Sequence, residues 1–137
     1  MKSYIILALL SLAGWGLWGF FSKISTNYTT SFTAFILSNV PVIIIVPLLI
    51  LYFRNRVDFQ SGTGMLFAFL AGLAGAMGSL FFYLSLKHGA GTRIIPLTSL
   101  YPLISILLCI IILKEPVSIK SGLGIFFALL GVYFLSL

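Results

Sequence analysis

Residues 3–22 read SYIILALLSLAGWGLWGFFS, twenty positions without a single charge. At about 1.5 Å of rise per residue, a helix of that length spans about 30 Å, the thickness of a bilayer's hydrocarbon core. Apolar side chains lie on every side of such a helix, so it lacks the polar outer face of a helix at a soluble protein's surface.

Working outward from this stretch, charges recur only as punctuation: Lys2, Lys23, Arg54, Arg56, Asp58, Lys87, Arg93, Lys114, Glu115 and Lys120. Between them lie uncharged runs at 24–53, 59–86, 94–113 and 121–137. Over the 137 residues 61% are hydrophobic and 7% are charged, against about a quarter charged in soluble domains. So few charged groups cannot cover a globule of this size, and the solvent for most of its surface is therefore lipid.

The spacing predicts an all-α membrane protein, with about five transmembrane helices near 3–22, 32–53, 63–86, 94–113 and 120–137 in a single domain, 1–137. Loop signals fall between them: Ser25, Thr26 and Asn27; Asn55 and Gly62; Gly89 and Gly91; Pro116. A membrane β-barrel would need alternating polar and apolar residues, which these runs lack. Lys2 before an apolar run resembles a secretion signal, but Trp15, Trp18, Phe20 and Phe21 stand where a cleavage site needs small residues, so the first helix is expected to stay.

A net charge of +6 does not point to nucleic acid, because the basic residues are scattered singly among the connections. They read as topology markers instead. With the N-terminus inside, Lys2, Arg54, Arg56, Lys114 and Lys120 face the cytoplasm against Lys23, Lys87 and Arg93 outside. Five against three is a small bias, compatible with insertion in both orientations.

Within the runs, some residues exceed what a lipid-facing helix needs. Ser11, Trp15, Trp18 and Ser22 share one helical face, readable as interhelical packing or as a cavity wall. Ala68, Gly72 and Ala76, with Gly75 and Ser79, form small-xxx-small sets that let helices approach closely; Gly124, Ala128 and Gly131 repeat the device as a candidate dimer surface. Pro96, Thr98, Ser99, Tyr101, Pro102 and Ser105 crowd the fourth run, where proline frees carbonyls that protein or water must satisfy. Asn39, beside Pro41 and Pro47, needs a partner at membrane depth.

Glu115 reads as either a coupling group or a structural pair with a neighbouring lysine or backbone donor, and His88 is expected to face water. The lone Cys109 excludes an internal disulfide and a cysteine metal cluster. No carboxylate pair, metal-ligand spacing, phosphate-binding loop or nucleophile triad stands out, so neither an enzyme nor a bound cofactor or metal is expected.

Trp15-Gly16 with Lys23, Tyr83 and Leu86 followed by Gly89, Pro96 and Pro102, then Lys114-Glu115 with Gly122 and Gly131, together resemble the EamA domain of the drug/metabolite transporter superfamily over the whole chain. Typical members carry two five-helix domains in inverted tandem. This chain resembles one, so the resemblance implies a second copy: a homodimer, expected to be antiparallel, enclosing a cavity that opens alternately to either side. It implies a cavity lining of Trp15, Trp18, Ser79, Tyr83, Thr98 and Tyr101, with Asn39 in addition, and Glu115 in a coupling or structural role. Related four-helix transporters exchange protons through an acidic residue in the first helix, and this first helix has none.

The activity implied is transport of small metabolites or amphipathic compounds, with export expected, in the cell (plasma or inner) membrane. The alternatives are a lipid-linked sugar flippase subunit and a non-transporting membrane scaffold subunit.

Overall fold

A computed structural model describes residues 3–54, 56–57 and 61–136. Its elements are all α-helical: α1 (Ser3–Tyr28), α2 (Ser31–Tyr52), α3 (Gly62–His88), α4 (Gly91–Thr98), α5 (Tyr101–Ile111) and α6 (Ile119–Ser136). Four stretches are long and apolar enough to cross a membrane: Tyr4–Tyr28, Ser31–Tyr52, Gly62–His88 and, taking α4 and α5 together, Gly91–Ile111. The 18 residues of α6 rise about 27 Å, slightly less than the hydrocarbon thickness. This all-α bundle of apolar helices is the class the uncharged runs predict.

The boundaries differ from the sequence reading where polar side chains satisfy the helix they belong to. Ser25, Thr26 and Asn27 are helical rather than a loop. The Ser25 and Thr26 hydroxyls donate to the carbonyls of Ser22 and Lys23, three residues back, at 2.9 Å each, so these polar side chains sit in the last turns without leaving unpaired donors. The chain then turns sharply, and Thr30 opens α2 by accepting the Thr33 N–H at 3.2 Å. Asn55, expected in the second connection, lies outside the described residues.

The fourth run divides in two. Pro102 has no N–H for the Thr98 carbonyl, and Ser99 and Leu100 leave the helical ladder. Bonds around the break shorten to three-residue steps, Leu100 N–H to Leu97 O at 3.3 Å and Leu103 N–H to Leu100 O at 2.9 Å. The break falls near the middle of Gly91–Ile111. Between α5 and α6, Lys114 takes a left-handed backbone (φ 54°), and the Glu115 N–H reaches back to Cys109 O at 3.3 Å.

Contacts gather into two units, residues 1–88 and 89–137. In the first, the buried residues among those described lie in the closing third of α1, the opening of α2 or the end of α3: Gly19, Ser22, Thr26, Ser31, Ala34, Phe82, Tyr83 and Leu86. Residues 4–18, 39–54 and 61–78 are exposed. Gly72, Gly75 and Gly78 would each accept a Cβ without meeting another atom within 4 Å in their own unit. The small-residue face of α3 is thus uncovered there, and its close partner is not α1 or α2. In the second unit α4 packs along α6.

Candidate functional site

The site grows from the end where α1, α2 and α3 converge. α1 and α3 meet in parallel register: Trp18 with Phe82, Ser22 with Tyr83, Lys23 with Leu86, Thr26 and Thr29 with Lys87. Four- and three-residue steps along each helix bring these side chains to one seam. Trp18 stacks on Phe82 with centroids 4.9 Å apart and meets the edge of Tyr83 at 6.1 Å; Phe35 of α2 approaches Tyr83 at 6.4 Å. Such pairs add about 0.5–1.5 kcal/mol beyond burial.

Tyr83 is 2% exposed, and its phenol oxygen accepts the Ser22 hydroxyl at 2.9 Å. Leu86 is wholly buried. Among the described residues no buried side-chain nitrogen or oxygen lacks a partner.

Above this aromatic layer sit two lysines. The Lys23 ammonium on α1 donates to the Leu86 carbonyl at the end of α3 at 2.8 Å. The Lys87 ammonium on α3 donates to the Thr26 and Thr29 carbonyls at the end of α1, at 2.9 and 3.1 Å. Each lysine therefore caps the other's helix. The electrostatics favour this arrangement: two parallel helices bring their negative ends together. Half-charges about 9 Å apart at an effective dielectric of about 20 repel by about 0.5 kcal/mol, and a cation over each end reverses the sign.

The sequence-derived site residues fall as follows. Trp15, 63% exposed, stands one turn before Trp18 on α1, and Trp18 itself keeps 38% of its surface open. Ser79 is half-buried, one turn before Tyr83. Asn39 is exposed and satisfied within its own helix, its amide donating to Phe35 O at 2.8 Å. Trp18 and Tyr83 come together, while Tyr83 lies inside the seam and presents almost no surface.

Thr98 and Tyr101 flank the break in the second unit. The Thr98 hydroxyl bonds the Ile94 and Ile95 carbonyls at 2.9 and 3.0 Å, and Tyr101 is 54% exposed. Apolar grooves of 390 and 150 Å³ open beside this break, the smaller lined by Ser99, Pro102 and Leu103 against Ile125 and Ala128. Glu115 is exposed in the turn before α6.

Sequence reading missed the partnership of Lys23 and Lys87, although it used Lys23 both as a topology marker and as part of the resemblance. The available signal was Lys87, which lies in the last turn of α3, where cations complement the dipole.

The model of the EamA-like transporter family matches residues 2–137. An uncharacterized protein of Methanocaldococcus jannaschii is 29% identical over 137 residues, covering all of this chain and 98% of the relative. No solved structure matches the chain. Of the positions that carried the resemblance, Lys23, Tyr83 and Leu86 lie in one packed seam and Trp15-Gly16 lie on the exposed length of α1 that leads to it, and the match runs through every helix from α1 to α6; the chain belongs to the EamA-like transporter family of the drug/metabolite transporter superfamily and is a multi-pass membrane protein.

Proposed function

We propose that the chain exports small metabolites or amphipathic compounds across the cell membrane by alternating access, with two inverted copies forming the complete transporter and residues 1–137 acting as one transport domain. The observation that carries this reading is the family match across residues 2–137 combined with an uncovered aromatic face on α1. Trp15, 63% exposed, and the 38% of Trp18 left open beside Phe82 offer apolar area that suits the wall of a route for apolar or weakly polar solutes. Ser79 and Asn39 would add polar contacts to that wall, with Tyr83 behind it; Thr98 and Tyr101 are proposed as lining of the same kind in the second unit. Glu115, exposed in its turn, is given a structural role.

The test is efflux from proteoliposomes loaded with a panel of labelled neutral amino acids and amphipathic dyes. Saturable efflux of at least one compound is expected. Trp15→Ala is expected to lower it about ten-fold, the scale of one lost wall contact of about 1.4 kcal/mol, with helix content unchanged. Efflux equal to protein-free vesicles across the panel, or a Trp15→Ala variant that transports normally, would count against the reading.

A further inference from the structure

The end of unit 1 holding Lys23 and Lys87 has two properties that the rest of the unit lacks. All of the unit's burial is there, and both cations are spent on carbonyls of the opposite helix. A lysine aimed at solvent would leave those carbonyls to water; here each ammonium crosses the seam. The two bonds are reciprocal, so releasing either frees one helix to turn against the other.

We infer that Lys23 and Lys87 form a two-way clasp whose work is positional: it locks the register of α1 against α3 and thereby fixes Trp18 on Phe82 and Tyr83. The inference rests on the reading of Trp18 and its neighbours as the wall of the transport route, and it adds a pair of residues that touch no transported compound. Tyr83 lies one turn below Lys87, and Trp18 and Phe82 lie about a turn and a half below Lys23 and Lys87, so a slip or rotation at the clasp shifts the aromatic pair. The remaining length of both helices is exposed through 4–18 and 61–78. Both ammoniums are needed, because each caps a different helix end.

The test uses the full chain in maltoside micelles, with Trp15→Phe leaving Trp18 as the sole tryptophan. Acrylamide quenching then reads the stacked ring directly. Lys23→Met and Lys87→Met keep an apolar stem but remove the donors. Each is expected to raise the quenching constant about two-fold as local opening exposes the ring, with far-ultraviolet dichroism unchanged. The double variant is expected to go no further than either single one, and Lys→Arg at each position to restore the parent value. A general stabilising role would instead reduce helix content and leave Trp18 shielded in the folded fraction, and an unchanged quenching constant in either Met variant overturns the clasp.

If the Met variants fail to fold, amide exchange in the unsubstituted chain decides. Residues 19–29 and 82–88 exchanging together and more slowly than 62–78 supports the clasp, and uniform exchange along α3 overturns it. No transported compound enters either measurement, so their failure leaves the efflux test standing, and failure of efflux leaves the clasp standing.

Discussion

Tyr83 carries two kinds of contact at once: a ring packed against Trp18, Phe82 and Phe35, and a phenol oxygen holding the Ser22 hydroxyl at 2.9 Å. Removing only the oxygen separates them. Tyr83→Phe keeps the packing and costs about 1 kcal/mol, the net worth of a buried hydrogen bond, or somewhat more because Ser22 is left without its partner. Tyr83→Ala empties a site that is 2% exposed, and large aromatic truncations cost about 3–5 kcal/mol. Unfolding in mixed micelles of dodecyl sulfate and maltoside is the check, with the two losses expected in that order and differing by at least about 2 kcal/mol. Equal losses would mean that the hydrogen bond, not the ring, dominates. A loss of transport in Tyr83→Ala is therefore ambiguous between wall and scaffold, whereas Trp15→Ala alters a side chain that is 63% exposed.

At the scale of the element, α3 poses the sharpest question. Its glycines at 72, 75 and 78 have no neighbour of their own unit within 4 Å of a built Cβ, although glycine within a helix costs about 1 kcal/mol against alanine. Close approach by a helix outside the unit offsets that cost, and under the proposed dimer that helix belongs to a second copy. Gly75→Leu is then expected to leave the fluorescence and helicity of the single chain intact while shifting it from dimer to monomer on size exclusion in mild detergent. A dimer that survives Gly75→Leu assigns the interface elsewhere, with the Gly124, Ala128 and Gly131 face of α6 next to be altered.

The same helices mark where sequence sufficed. Uncharged runs located α1 to α3 because in lipid every backbone group must be satisfied within the segment, which leaves helix as the only solution for an all-apolar run. The end of α1 was misjudged by six residues: Ser25 and Thr26 bond their own helix, and composition cannot distinguish that from a turn. The division of the fourth run was half legible. Pro96 and Pro102 announced freed carbonyls, but which proline interrupts the helix depends on the three-residue bonds that replace the lost ones. Of the site, the Ser11, Trp15, Trp18 and Ser22 face was readable by periodicity. The Lys23–Lys87 exchange was not, since it joins residues on helices separated by more than sixty positions.

For the whole molecule, the proposed inverted pair raises the question of how one chain would supply both halves. Orientation depends on the balance of basic residues near the two membrane faces, and here three of the eight, Lys23, Lys87 and Arg93, oppose the other five. Lys23 and Lys87 both donate to helix-end carbonyls, so under the inferred clasp losing either to sharpen the bias would open the seam. Under the proposed function, insertion in both orientations would supply the inverted copy from the same chain. Fusing the C-terminus in turn to alkaline phosphatase, active outside, and to green fluorescent protein, fluorescent inside, reads this directly. Comparable signal from both is expected. Adding two lysines to the cytoplasmic connection beside Arg54 is expected to silence the phosphatase and, by removing inverted partners, to abolish efflux; co-expression of a second copy biased the opposite way is expected to restore it. Signal from one reporter alone in the unaltered chain would rule out the self-inverted pair and require either a parallel dimer or a separate partner of opposite orientation.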